Sequence, residues 1–381
     1  MLATLFVSAP AFAQTSPTAP AGNAHPEAKS VSDMTGVNPF GEFVEATMTG
    51  RAKREFADKL DLSPLRDLAV FHDGRLKILD TLARETIKDV AGRKDFVDWI
   101  SSGESSGGDS NSKPAAALKK VKYDPLFTFL DLMIDPLFYG DKALVHVEYL
   151  PLREELLKTA YTDKDEYTWW LKLGRVKPEL IMQHGAELMR QHQFDDGFRG
   201  GLMHVSSAMN RYGKSWQNLL MVAPPASDQK WQNLAFVLDG SKGPALRDAV
   251  NDLASGWRAG DAAKVNAASK VLAAELPKVN PETYPTTRRE VERLYNAVNP
   301  FEWGYWMYCL SLISLLLAFG TGRKWLVGVG ITTLFAAIGL HVFGFASRCY
   351  IAERLAIQNQ FESMTGLSLG ATLVGTVVML A

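Results

Sequence analysis

The run Trp303–Phe319, "WGYWMYCLSLISLLLAF", decides the fold. It contains no charged side chain, and Trp303, Tyr305, Trp306 and Tyr308 crowd its beginning. Aromatic rings massed at one end of an apolar run suit the boundary between lipid headgroups and hydrocarbon. Two more uncharged runs follow, at 325–345 and 364–381. Each approaches the roughly 20 residues that cross a hydrocarbon core. A buried globular helix can imitate one such run, but three in close succession read as membrane spans at about 303–319, 325–345 and 364–381.

Outside these runs the chain reads differently. It has 381 residues, a net charge of -1 and 47% hydrophobic residues, and nearly all its long apolar runs lie after Trp303. The near-neutral balance gives no electrostatic basis for a nucleic-acid partner. The two cysteines, Cys309 and Cys349, both fall in the membrane part, so no disulfide framework holds the rest together. No Cys-x-x-Cys or Cys-x-x-Cys-His occurs, which excludes a c-type cytochrome and a thioredoxin-like oxidoreductase.

The N-terminus divides into a signal-like segment, 1–13, and a flexible linker, 14–37. The first ends in the small-x-small pattern Ala11-Phe12-Ala13, which a signal peptidase would cut before Gln14. The second is rich in Pro, Ala, Ser and Thr. Residues 38–300 read as a mostly helical soluble region, and 301–381 as the transmembrane region. The expected fold class is therefore mostly α: a helical extracytoplasmic domain followed by at least three transmembrane helices. Export of the N-terminus would put Arg323 and Lys324, between the first two spans, in the cytoplasm, in line with the positive charge of cytoplasmic loops. The soluble region would then face outward with the segment after the second span. The third span runs to Ala381 with no polar tail, so the sequence reads as a fragment of a longer membrane protein.

Within the soluble region, "GRAKREFADKLDL", "DTLARETIKDVAG", "LREELLKTAY", "KPELIMQHGAELMRQH", "GPALRDAVNDLASGWRAG" and "DAAKVNAASKVLAAEL" have helical spacing. In the second, Asp80 is the expected N-cap, Gly92 the stop, and Leu82, Ala83, Ile87 and Val90 the apolar face. "WQNLLMV" and "NLAFVLDG" are short enough to be strands. "SSGESSGGDSNSKP", 101–114, is a flexible loop without the Gly-Lys-Ser/Thr ending of a phosphate cradle.

Four places carry candidate chemistry. His341, inside the second apolar run, needs a polar partner there; it is either an axial haem ligand or a histidine bonded to a neighbouring helix. Arg348, seven residues on, falls on the same helical face. It would grip a haem propionate bidentately or snorkel to lipid phosphate. His184, His192, Asp195, Asp196 and His204 gather in one segment, yet their spacing matches no His-x3-His ligand pair, and a solvated face explains them. His72, Asp73 and Arg75 flank an Asp-Gly pair, where turn chemistry is the plainer reading.

Several stretches together resemble a known family, the bacterial cytochrome c assembly proteins of the CcsA/ResC type (system II), in members with an extracytoplasmic region fused ahead of the core. "DGRLKILDTLARE" (73–85), "DPLFYGD" (135–141), "YPTTRREVERLYNAVNPFEW" (284–303) and "HVFGFASRCYIAERLAIQNQFESM" (341–364) carry the resemblance. Phe361 stands where tyrosine is usual and Ile357 where proline is common; the family's tryptophan-rich, histidine-flanked loop does not occur in this sequence. The resemblance implies a membrane protein of the bacterial cytoplasmic membrane that holds haem and presents it to the Cys-x-x-Cys-His thiols of apocytochrome c. It would be part of a haem lyase, alongside a ResB/CcsB-type membrane partner. It implies a cofactor role for His341 (also the metal ligand) and Arg348, with Asn359, Glu362 and Ser363 shaping the outer mouth. The competing reading is a membrane-tethered scaffold or receptor whose soluble region binds a partner protein without cofactor. A transporter half is disfavoured by the lack of paired intramembrane charges.

Overall fold

The computed structural model describes residues 36–44, 48–101, 118–357 and 360–380. The signal-like segment, the linker up to residue 35, most of the Ser/Gly loop and Asn359 lie outside these residues.

The fold is mostly helical with a few short strands. Helix α1 (Gly50–Lys59) and the single turn α2 (Ser63–Arg66) lead into a hairpin of β1 (Ala69–His72) and β2 (Arg75–Ile78). The Asp73-Gly74 pair makes its two-residue turn, both residues at positive φ (52° and 71°), as a type I′ connection requires. Helix α3 (Leu79–Ala91) follows at once and ends at Gly92 in the left-handed conformation. Its expected apolar face is completely buried: Leu82, Ala83, Ile87 and Val90. The N-cap differs from the expectation. Ile78 occupies it without a side-chain bond, and Asp80 sits in the first turn, paired with Arg66 and Arg84. Two arginines outcompete the helix's own N–H groups for that carboxylate.

A second hairpin joins β3 (Val97–Ser101) to β4 (Leu118–Lys122), and helix α4 (Pro125–Ile134) follows. Asp124 caps α4 by accepting from Leu126 N and Phe127 N, with Pro125 in the first turn. Every residue of α4, "PLFTFLDLMI", is buried, so this helix is the centre of the body. Around it lie β5 (Val145–His146), α5 (Leu150–Lys158), α6 (Lys164–Leu173), β6 (Arg175–Val176), α7 (Pro178–Gln191), α8 (Asp196–Lys214), α9 (Pro244–Ala259) and α10 (Ala262–Val279). "WQNLLMV" and "NLAFVLDG" lie over short 3-10 helices, Ser215–Asn218 and Leu234–Val237, not strands; they are joined by an isolated bridge of Val222 with Gln232, just before the second stretch, and by Leu234 N donating to Leu219 O at 2.8 Å. Runs this brief are settled by packing on their neighbours.

Helix α11 (Thr286–Val298) ends at Asn299, itself left-handed at φ 46°, and α12 (Pro300–Thr321) begins immediately. Helix α13 (Lys324–Ala352) returns, and α14 (Gln360–Leu380) is the third long apolar helix. Three helices are thus long and apolar enough to cross a membrane, which makes this a membrane protein by length and composition. Their outer faces show Leu312, Leu316, Phe319, Val377 and Val378 unburied, as lipid-facing side chains require. Small residues bring α12 and α13 together: Ser311 Oγ donates to Gly330 O at 2.7 Å, and a Cβ on Gly330 would lie 2.6 Å from Leu315 Cγ.

Candidate functional site

Helix α11 turns one polar stripe downward, Arg288, Glu292, Tyr295 and Asn296, onto the place where the body meets the membrane helices. Asn296 Nδ2 donates to Thr81 Oγ1 of α3 at 2.8 Å, fastening α11 to the body. Arg288 pairs with Glu353, the left-handed residue that ends α13. Arg348 of α13 donates to Tyr295 Oη at 3.4 Å and to Glu362 Oε1 at 3.3 Å, and Arg354 donates to Glu362 Oε2 at 3.3 Å. The Arg348 guanidinium also lies 5.2 Å from the centroid of the Phe361 ring. Body and bundle are therefore tied by charge on both sides of α11, with no free linker between α11 and α12.

A cavity of about 120 Å³ lies inside this junction, lined by Arg75, Glu85, Glu292, Tyr295, Arg348 and Glu362 among others. Two lining atoms, Glu292 Oε2 and Arg348 Nε, find no hydrogen-bond partner in the protein. Glu292 is 4% exposed, and it lies before Asn299, outside the spanning helix. Burial pushes its carboxyl up to about 7, against smaller pulls from the Thr81 hydroxyl, the Ile78 backbone and the Arg75 cation. Glu85, on the far wall, is held by Arg75 Nη2 at 3.0 Å and by Lys77 Nζ at 2.6 Å. Lys77 also donates to His72 Nδ1 at 2.9 Å; burial and that ammonium hold the imidazole below its ordinary value.

The sequence-expected residues distribute as follows. His341 and Arg348 do share a helical face, and both turn toward α14. His341 is buried with both ring nitrogens engaged: Nε2 donates to Thr365 O at 3.1 Å and Nδ1 accepts from Tyr308 Oη at 3.3 Å. Phe301 closes over its edge, with ring centroids 5.7 Å apart. Glu362 joins Arg348 in the junction, whereas Ser363 Oγ donates to Ile357 O at 2.8 Å. Asn359 lies outside the described residues. The histidine-rich segment is not a cluster. Asp195 caps α8, Asp196 pairs with Arg199, and His192 stacks on Phe198; no metal-holding group occurs among the described residues. Cys309 and Cys349 are free thiols, and Cys349 Sγ accepts from Ala356 N at 3.4 Å.

Sequence reasoning missed a cluster in the centre of the body. Lys53, completely buried, donates to both carboxylate oxygens of Asp131 (3.0 and 2.9 Å) and to Asp135 Oδ2 at 2.7 Å. Tyr139 Oη and Trp257 Nε1 complete the shell of Asp131 at 2.7 and 2.8 Å. Asp135 and Tyr139 belong to the quoted "DPLFYGD"; Lys53 sits in a helix whose composition reads as solvated. Burial raises Asp131 against the pull of Lys53. The cluster acts as an internal tie between α1 and α4.

Among the described residues, neither His341 nor the cavity at Arg348 fits a haem as they stand. Both ring nitrogens of His341 are hydrogen-bonded here, and the cavity at Arg348 is well below the roughly 300–1,000 Å³ of a ligand pocket. A larger groove of about 640 Å³ beside the junction contains no histidine, cysteine or methionine that could bind iron axially. Comparison with known proteins adds no identity: no family model, no curated protein and no solved structure matches this chain.

Proposed function

We propose that this chain is the body-bearing part of a membrane-bound cytochrome c assembly factor, seated on the bacterial cytoplasmic membrane with the body outside. One observation supports this reading above the others. Three of the four stretches that carry the family resemblance converge on one junction: Arg75, Thr81 and Glu85 from the first, Glu292, Tyr295 and Asn296 from the third, Arg348 and Glu362 from the fourth. More than 200 residues separate Glu85 from Glu292 in the chain. With both His341 nitrogens hydrogen-bonded in this structure, the chemistry of haem attachment is assigned to no residue here. On this reading, these residues hold the body at a fixed height and angle over the membrane, where an apocytochrome is received, and the tryptophan-rich loop of the family supplies the haem.

The second reading, a cofactor-free scaffold, draws on a different surface. Met182 and Met189 on α7, Phe194 between the helices and Met203 on α8 are each exposed, apolar side chains of the adaptable kind that suits a flexible protein partner. Deleting the gene in its host, then staining membrane and exported fractions for covalently bound haem, separates the two. Loss of c-type cytochromes, restored by the full-length wild-type gene, is expected for the assembly factor. An undiminished haem stain in the deletion strain refutes it.

A further inference from the structure

The groove of about 640 Å³ beside the junction has α3 as one wall and α11 as the other, and Asn299, the last residue before the first spanning helix, at one end. Five cations line it, Arg66, Arg84, Lys88, Lys94 and Arg293, against three acids, Asp67, Asp80 and Glu85. The acids are already committed. Asp80 is shared by Arg66 and Arg84, Asp67 is met by Arg293 at 3.5 Å, and Glu85 is held by Arg75 and Lys77 from behind the wall. Lys88, one helical turn beyond Arg84, and Lys94, just past the Gly92 stop, have no ion-pair partner among the described residues. The groove therefore carries a positive excess that the protein itself leaves unmatched.

Its height is fixed by the ties already described. Tyr295 and Asn296 line both the groove and the inner junction, and Arg288 and Arg348 hold α11 to the ends of α13 and α14. The exposed rings of Trp303, Tyr305 and Trp306 begin one turn below Asn299 and mark the headgroup boundary. A cationic groove that opens within a turn of that boundary meets phosphate esters before any other anion.

We propose that this groove binds the phosphate-bearing headgroup of an anionic phospholipid from the leaflet under the body, with Lys88 and Lys94 as its free cations. The lipid would pin the body to the membrane surface at a third place, in addition to the α12 connection and the Arg348 ties. This does not depend on the assembly-factor reading.

The test uses the full chain in nanodiscs of mixed phosphatidylglycerol and phosphatidylcholine, with retained lipid counted by native mass spectrometry. Wild type is expected to keep phosphatidylglycerol in preference to phosphatidylcholine. Lys88→Gln and Lys94→Gln should each weaken that preference about fivefold, and Lys88→Arg with Lys94→Arg should preserve it. Lys158→Gln with Lys278→Gln, exposed cations outside the groove, should leave it unchanged. All these side chains are exposed, so the variants should melt like wild type by tryptophan fluorescence. Unchanged lipid preference in the Lys88→Gln/Lys94→Gln variant overturns the proposal. So does displacement of the lipid by inorganic phosphate at equal concentration, which would make the groove a free-anion site.

Discussion

Replacing Glu292 by glutamine should remove a pH dependence from the seat of the body on the membrane. The carboxyl is buried among Arg75, Thr81 and Glu85 from the body and faces Arg348 and Glu362 across the cavity, with one oxygen unpartnered. Moving it from 4.5 to about 7 corresponds to about 3 kcal/mol between its charge states. The sign follows from which state binds the proton more tightly. The folded protein does, so this contribution is full below the unfolded value near 4.5, falls away as pH rises toward 7, and is gone above it. Glutamine keeps the neutral shape at every pH. The variant should lie within about 1 kcal/mol of wild type at pH 5 and exceed it at pH 8 by up to about 3 kcal/mol. For a body this size that is roughly 5–10 °C in melting temperature.

The measurement is a series of thermal melts of the full chain in detergent from pH 5 to 8, read by tryptophan fluorescence. Only the difference between variant and wild type is diagnostic, because other groups titrate in the same window. His72 is held low, so its contribution runs the opposite way: it is present above the ordinary histidine value and lost as pH falls. It is common to both proteins and cancels. Parallel wild-type and variant curves across the whole range would refute the argument, since they would mean that Glu292 is solvated or paired at the junction.

Lys53→Met should destabilise the body by roughly 3–5 kcal/mol, because it leaves Asp131 and Asp135 facing each other in a dry core without their cation; a urea titration of the body's fluorescence would show it, and a loss under 1 kcal/mol would not be compatible with the geometry. Gly330→Leu should separate α12 from α13, since even a Cβ there meets Leu315 at 2.6 Å. Disulfide trapping between cysteines placed across the two helices should lose efficiency, and undiminished trapping would count against this packing.

What could be read from residues alone followed from local physics. The aromatic-headed run at Trp303 announced a span because a helix in lipid must be apolar along its whole length, and α12 extends that run by a few residues at each end. The face of α3 was legible from its period, and its end from Gly92, the residue that tolerates a left-handed backbone. The Asp73-Gly74 turn was legible for the same reason. The junction was not. Arg75, Glu292 and Arg348 each look like ordinary solvated charges in their own stretch, and only the docking of α11 between body and bundle puts them around one cavity. Lys53 was hidden by its setting, since "GRAKREFADK" reads as a surface helix and the carboxylates that justify burying its ammonium lie about eighty residues away. His341 was legible as a polar group needing a partner, and its need is met by Thr365 and Tyr308 on the two flanking helices. In this arrangement the histidine donates at one nitrogen and accepts at the other, and so ties three helices together.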